Sequence, residues 1–471
     1  MRLPDVRLAA ALAAAKGTYR ATRLLGKSGG TALPGLIAEH VDPDVIAKVA
    51  ARLPEGAIVV AGTNGKTTTS RMLADILAAA GKGVVNNGAG SNLSRGIAAT
   101  FARQSSVLGR PVADVAVIEA DEAAFPGIVA AVCPRVVVLN NLFRDQLDRY
   151  GELNTITTKW EIALRALPPG SSLVYDADDP TLCALADGAP SGTARVPFGL
   201  GTHRYTLPEL SHAADAAMCR VCGTPLEYHA LSVGHLGDWY CPTGDNARPP
   251  LAYRAEAIEL RGMDGEAFRV IDAQGGEIAI EMRVPGLYNV YNAVGAAAAA
   301  RSLGVPADTI RDALGRFVAP FGRIERLMLQ ERRLTLALIK NPTGANEVLR
   351  LIAVAPPAPL LICINDLTAD GRDVSWLWDT DFEMLAAYPA PIIVSGIRAL
   401  DIAVRLKYAG VASERVTLVP EIGAALMAVA ECAPRGGDAY VLPTYTAMLA
   451  ARESLHARGA LTNVWATAEQ R

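Results

Sequence analysis

The chain has 471 residues, 51% hydrophobic and 20% charged, with a net charge of −3 at pH 7. That length supports two or three domains with their own cores, and that charge balance calls for no nucleic-acid partner. No apolar run reaches the roughly 18 residues a membrane span needs. Seven dispersed cysteines do not make a secreted disulfide framework, so a reducing cytoplasm is expected.

Residues 1–45 read as an N-terminal helical segment. Leu8 to Ala15 is an Ala/Leu run, flanked by Arg2, Arg7, Lys16, Arg20, Arg23 and Lys27 with only Asp5 against them. Such a basic helix either docks on the protein body or touches the anionic inner face of the plasma membrane as a peripheral contact. From 46 to 318 the pattern is that of a doubly wound α/β domain with a parallel sheet. Ala57–Ala61 reads as a buried strand, Gly62–Gly65 as a glycine loop, and Thr67–Ala80 as a helix stopped by Gly81. Further strands are expected at 115–118, 136–139 and 173–175. The rhythm breaks at about 203–250, a turn-rich insertion with four of the six histidines and three of the seven cysteines. Residues 257–281 alternate like antiparallel strands, and an Ala-rich helix is expected from about Asn289 to Leu303. The remainder, 319–471, repeats strand and helix as a smaller Rossmann-like α/β domain. Its strands are expected near 336–339, 360–364, 392–395, 416–419 and 440–442.

The sharpest motif is Gly62-Thr63-Asn64-Gly65-Lys66-Thr67-Thr68-Thr69, set between strand and helix. Backbone N–H groups of such a loop surround a phosphate, and the helix N-terminus adds partial positive charge. Lys66 would meet the terminal phosphates of ATP and Thr67 would hold Mg²⁺. The strict Walker pattern asks for glycine where Val60 stands. Glu119 closes the strand Val117-Ile118-Glu119 and opens a cluster with Asp121 and Glu122. A carboxylate there is where an α/β sheet presents ligands. Asn140-Asn141-Leu142-Phe143-Arg144-Asp145-Gln146-Leu147-Asp148, Asp178-Asp179-Pro180, Gly286-Leu287-Tyr288-Asn289-Val290-Tyr291-Asn292 and Gly322-Arg323-Ile324-Glu325 follow. Lys340-Asn341-Pro342 and the long run from Asn365 to Asp379 complete the set.

Together these motifs resemble the Mur ligase and folylpolyglutamate synthetase superfamily, and the C-terminal run resembles its MurT branch. That resemblance covers nearly the whole chain and implies an ATP-dependent amide-bond ligase. It implies Mg²⁺ on Thr67, Glu119 and Gln146, the last standing where most Mur ligases carry histidine. It implies nucleotide contacts from Gly62, Thr63, Asn64, Gly65, Lys66, Thr67, Thr68, Asn289, Asn292 and Asn341, and an Arg323 that reaches the γ-phosphate. Asn289 alternatively caps a helix, and Arg323 alternatively forms a surface pair with Glu325. Lys159 lies one residue from where many relatives carry a carbamoylated lysine holding a second Mg²⁺. A plain surface lysine is the other reading.

The resemblance further implies lipid II as the substrate, with the α-carboxyl of its D-glutamate amidated through an acyl phosphate. The phosphate loop begins at 62, leaving no room for the UDP-binding domain of other Mur ligases. The implied partner is GatD, a class I glutamine amidotransferase. Asp373 would complete that partner's Cys–His pair, or cap a helix starting near Val374. The residues agree that ammonia comes from elsewhere. Cys133, Cys183, Cys363 and Cys432 sit in no nucleophile turn, and outside the insertion only His40 and His456 remain. Cys219, Cys222 and Cys241 resemble three quarters of a four-cysteine Zn²⁺ ribbon, with His235 or Asp245 available as a fourth ligand, or else a vestige without metal. Two other functions stay open: a ligase that adds an amino acid, and a non-catalytic nucleotide-binding scaffold.

Overall fold

The computed structural model describes residues 5–24, 32–88, 92–145, 153–212, 214–244, 246–319 and 324–461. The first described elements are three helices, α1 (Val6–Leu24), α2 (Ala32–Val41) and α3 (Val45–Ala50). Leu8, Ala11, Leu12 and Ala15 are buried, and Leu8, Leu12 and Ala15 join the core cluster that also holds Ala38, Val45 and Phe101. The apolar side of α1 is therefore docked on the body. Two of its cations bond backbone carbonyls, Arg7 Nε donating to Val41 O and Lys16 Nζ to Arg103 O.

The large sheet follows. Its leading elements are β1 (Ala57–Ala61), α4 (Lys66–Ala79), β2 (Val84–Asn86), α5 (Ser94–Arg103), β3 (Val115–Glu119), α6 (Phe125–Val132), β4 (Val136–Leu139), α7 (Leu153–Arg165), β5 (Ser172–Asp176), α8 (Pro180–Asp187) and β6 (Ala194–Leu200). β7 (Glu227–Val233) and β8 (Leu236–Tyr240) form a separate two-stranded sheet in the insertion. β9 (Tyr253–Leu260), β10 (Glu266–Asp272) and β11 (Glu277–Met282) then extend the large sheet, before α9 (Leu287–Ser302) and α10 (Ala307–Gly315). The strand order is β11-β10-β9-β6-β5-β4-β1-β3-β2, parallel from β2 to β9 and antiparallel at β9–β10–β11. β1 pairs with β3 on one side and β4 on the other. Every residue of these three strands is buried, which explains their unbroken Val/Ile/Ala runs. The strand order reverses at β1, and that is where an open α/β sheet leaves a crevice at its carboxyl edge.

A second sheet holds β12 (Glu325–Leu329), β13 (Arg332–Leu336), β14 (Leu360–Cys363), β15 (Ile392–Ser395), β16 (Val416–Leu418) and β17 (Asp438–Pro443), ordered β12-β13-β17-β14-β15-β16. Helices α11 (Pro342–Val354), α12 (Ala399–Tyr408), α13 (Ile422–Cys432) and α14 (Tyr445–Ala457) accompany it. The strand expected at 336–339 starts earlier. β13 begins at Arg332, having paired back on β12 through a turn with Gln330 at φ 48° and Glu331 at φ 61°. Beyond Leu336 the chain keeps bonding along β17, Ala337 N to Val441 O at 2.9 Å and Ile339 N to Pro443 O at 3.0 Å, and so brings Lys340 to Asp145 of the first domain.

Candidate active site

The loop after β1 adopts a conformation that its two glycines permit. Gly65 has φ 82°, and a Cβ placed on it would lie 2.0 Å from Asn292 Oδ1. Glycine is required there both for the backbone and for the close approach of α9. The loop is braced from the β4 end. Thr63 N donates to Asn141 O and Asn64 N to Asn141 Oδ1, both at 2.8 Å. Thr63 Oγ1 and Phe143 N are 3.0 Å apart. Asp179, the cap of α8, accepts from Leu142 N at 2.8 Å and fixes the same segment from below.

Behind the loop an amide ladder crosses to α9. Asn140 Nδ2 donates to Thr69 Oγ1 (2.9 Å), Thr69 Oγ1 to Asn292 Oδ1 (3.2 Å), and Asn292 Nδ2 to Asn289 Oδ1 (3.0 Å). Asn289 in turn donates to Pro285 O at 2.8 Å. Asn289 therefore both organises its own helix start and lines the cleft with Asn292.

The charges lie on the other side of the loop. Lys66, only 6% exposed, donates to Gly62 O, to Thr63 O at 3.1 Å and to Glu122 Oε2 at 2.9 Å. Thr67 Oγ1 donates to Glu119 Oε1 at 3.0 Å. From the C-terminal domain, Lys340 Nζ meets Asp145 Oδ2 at 2.6 Å and Asn341 Nδ2 donates to Asn64 Oδ1 at 3.0 Å. Burial pushes the Glu122 carboxyl above the usual carboxylate range, against the opposing pull of Lys66 and Lys340.

Three buried carboxylate oxygens here, Glu119 Oε2, Glu122 Oε1 and Asp145 Oδ1, have no partner among the described residues. A buried acceptor without a partner is costly. An all-oxygen donor set of hydroxyl and carboxylates suits Mg²⁺. The residues present therefore fit a nucleotide–magnesium site, with Thr67 and Glu119 as its holders and Lys66 as the phosphate cation. Gln146 and Arg323 lie outside the described residues. Lys159 is exposed on α7, whereas the adjacent Trp160 points inward and donates to Glu122 O at 2.9 Å. Glu122, Asn140, Asn141 and Lys340 were not singled out individually from the sequence. Glu122 had a signal in the acidic run after β3, and the asparagine pair in its position after β4.

The cysteine turn is a second cluster. The sulfurs of Cys219, Cys222 and Cys241 lie within 4.8 Å of one another, and Cys222 Sγ is 3.4 Å from Cys241 Sγ. Hydrogen bonds from Thr224 and Thr243, with the Cys241 thiol, lower the Cys222 thiol to about 6. His235 is not its neighbour. It is buried against Phe143, with ring centroids 4.3 Å apart, and its Nδ1 accepts from Asp215 N at 3.2 Å. Asp245 lies outside the described residues.

In the C-terminal domain, Asp373 is exposed and its Oδ1 accepts from Ser375 N at 2.8 Å, at the head of a short 3₁₀ turn, Ser375–Trp378. That bond closes a local turn ahead of the 3₁₀ segment, whose cap position, Val374, has no side-chain cap hydrogen bond. Cys363 is buried and its thiol pushed up to about 12, so it is no nucleophile.

Comparison with known proteins settles the family. Residues 338–448 match the model of the MurT ligase C-terminal domain, and residues 60–240 that of the Mur ligase middle domain. The chain is 34% identical over 453 residues to "Lipid II isoglutaminyl synthase (glutamine-hydrolyzing) subunit MurT" of Streptococcus pneumoniae, covering 95% of this chain and 96% of that one. The chain belongs to the MurT family of Mur ligases. A Staphylococcus aureus protein of the same name is 32% identical over 444 residues, covering 94% of this chain and 96% of its own. Among solved structures, the fold is similar to a pseudomurein peptide ligase type C from Methanothermus fervidus (TM-score 0.65, 20% identity, 92% of this chain and 85% of that one). It is also similar to MurF ligase from Thermotoga maritima in complex with ADP (TM-score 0.63, 12% identity, 89% and 84%). No described helix is long and apolar enough to cross a membrane.

Proposed function

We infer that this chain is the ligase subunit of a lipid II isoglutaminyl synthase. It uses ATP to convert the α-carboxyl of D-glutamate in the lipid II stem peptide to an amide, with ammonia from a GatD-like glutaminase. The observation that carries this is the convergence of Lys66, Thr67 and Glu119 from the first domain with Lys340 and Asn341 from a MurT-type second domain. A carboxylate is a poor electrophile. Its oxygen attacks the γ-phosphorus, ADP leaves, and an acyl phosphate results. Ammonia then attacks the acyl carbon, the C–O bond to phosphate breaks, and the surplus proton is released. Lys66 and the loop N–H groups hold the transferred charge, and Lys340 supplies a second cation from across the cleft. Mg²⁺ on Thr67 and Glu119 would neutralise phosphate charge. Arg323 closing on the γ-phosphate belongs to the same reading.

Asp373 is assigned to the partner's Cys–His pair, where a carboxylate orients the imidazole and stabilises its positive form. The three cysteines are assigned to structural zinc. Tetrahedral Zn–S bonds of about 2.3 Å place sulfurs about 3.8 Å apart, and the 3.4 Å pair needs little adjustment to reach that spacing. The lipid-linked substrate places the work at the inner face of the plasma membrane.

The test is mass spectrometry of lipid II after incubation with the chain, ATP, Mg²⁺ and either ammonium or glutamine with the partner. Amidation with ammonium by the chain alone, and with glutamine only when the partner is present, is expected. ATP hydrolysis with no amide on lipid II in any combination would remove the substrate assignment. Incorporation of an added amino acid instead would favour the amino-acid-adding alternative.

A further inference from the structure

A second cavity, of about 40 Å³, adjoins the Lys340–Asp145 pair and has room for a few water-sized species. Neither Thr67 nor Glu119 is among its described lining residues, so it is distinct from the magnesium side of the site. Asp145, Asp370, Asp373 and Asp379 line it, opposed by Arg144 and Lys340. Four carboxylates against two cations leave the cavity a formal charge of −2. Trp376 forms part of its wall.

Most of these carboxylates are already served. Asp370 accepts from Thr446 N at 2.7 Å and from Leu367 N at 3.1 Å, and Asp373 from Ser375 N at 2.8 Å. Arg144 pairs with Asp215 and comes no closer than 3.7 Å to Asp379. Asp145 is the exception. Its side chain is 5% exposed, its Oδ2 takes Lys340 Nζ at 2.6 Å, and its Oδ1 has no partner among the described residues. A buried charged acceptor in a net-negative cavity calls for a small cation that donates hydrogen bonds. Magnesium would ask for about six oxygens in octahedral array. An aromatic wall offers it none, whereas a monovalent ammonium is attracted to the ring.

Only one residue separates the cavity from the phosphate loop. Asn341 lines it and donates to Asn64 Oδ1 of the loop at 3.0 Å, and Lys340 lines both it and the nucleotide cleft. We propose that this cavity holds the ammonium that the ligase consumes, with Asp145 as the anchoring carboxylate and Trp376 as the aromatic wall. The proposal deepens the amidation reading above and rests on it. A cation held there meets an acyl phosphate formed beside Lys340 at a high effective concentration.

The experiment has two arms. Crystals of the full chain grown with Mg²⁺ are soaked in thallium(I) acetate, whose cation is an anomalous scatterer close to ammonium in size and equal to it in charge. An anomalous peak in contact with Asp145 Oδ1, displaced by ammonium chloride and lost in Asp145→Asn, is expected. In the second arm the KM for ammonium is measured for lipid II amidation. It should rise about tenfold or more in Asp145→Asn, which removes a charge-assisted contact, and about threefold in Trp376→Leu. The KM for ATP should move by less than about twofold in Trp376→Leu, which separates loss of this cavity from collapse of the nucleotide cleft. An unchanged KM for ammonium in both variants overturns the proposal. So does a wild-type cavity without thallium, or a peak at Thr67 and Glu119 only. If the wild-type chain makes no amide from ammonium, the amidation reading fails, and the thallium peak still decides whether the cavity binds a monovalent cation.

Discussion

The phosphate loop and the cysteine turn are both short, glycine-bearing and dense in hydrogen bonds, yet they are built to opposite standards. Around the loop Lys66, Thr69, Glu119, Asn140 and Asn292 are all buried, and most of their polar atoms are bonded to one another. The oxygens left over point to a ligand set that is complete except for metal and nucleotide. The cysteine turn stands on a two-stranded sheet, with Cys222 exposed and three thiols in place of four. The difference follows from support. Three fully buried parallel strands hold the loop, whereas the insertion stands on a two-stranded hairpin whose Trp239, with Cys219 and Cys241, packs against the core of the large domain. Chemistry that requires sub-ångström placement suits the first support.

The strongest break of this contrast is Lys66→Met, which removes a cation from the transferred charge. Amidation should fall about 10²- to 10³-fold with the fold intact, measured as phosphate and amide release beside a thermal unfolding curve. If Tm falls with the rate, Lys66 is holding the loop rather than the phosphate. Next in size is Lys340→Met. It leaves the loop untouched and removes only the cross-domain cation, so a loss of about tenfold is expected in the ammonium-driven rate, roughly 1.4 kcal/mol. A smaller effect is expected from Cys241→Ser. Metal analysis should show one zinc per chain falling to none, and Tm should drop by several degrees. ATP affinity should be unchanged, and a loss of ATP binding would mean that the two regions are coupled.

The smallest expected effect is at the joint between them. Asp176, Asp178 and Asp179 are all buried; Asp178 pairs with Arg248 at 2.8 Å, and Asp176 Oδ2 has no partner among the described residues. Burial, then the neighbouring Asp178 and Asp179, raise the Asp176 carboxyl well above its ordinary value. A raised acid favours the folded state below its unfolded pKa, and that contribution is lost as pH rises through the folded value. Asp176→Asn should therefore be stabilised relative to wild type near pH 8, an advantage that shrinks as pH falls toward the unfolded carboxyl's pKa near 4, read from denaturant unfolding at the two pH values. A variant less stable than wild type at pH 8 would show that the charge is accommodated.

Much of this contrast was legible in the sequence. Ala57–Ala61 read as a strand because it is buried on both faces, and the loop motif announces itself by its glycines and Lys66. The β12–β13 hairpin was not legible. Its turn places Gln330 and Glu331 at positive φ, where glycine or asparagine would have given a signal. That moved the start of the strand expected at 336–339 back to Arg332 and hid how Lys340 reaches Asp145, a contact between residues 195 positions apart. His235 misled for a related reason. Its place after Gly234 in a hairpin turn aims it at Phe143 rather than at the cysteines, and spacing alone does not encode that direction. Lys159 and Trp160 are adjacent in sequence and point about 100° apart around the helix, so only the fold says which of them faces Glu122.

The central claim is that the cleft between Lys66 and Lys340 activates a carboxylate by phosphorylation. The most direct measurement is transfer of ¹⁸O. Lipid II labelled at the α-carboxyl of D-glutamate is incubated with the chain, ATP, Mg²⁺ and ammonium, and the released phosphate is examined by mass spectrometry. One ¹⁸O per phosphate, in proportion to the amide formed, is the predicted result. Amide formation with unlabelled phosphate would contradict the acyl-phosphate account.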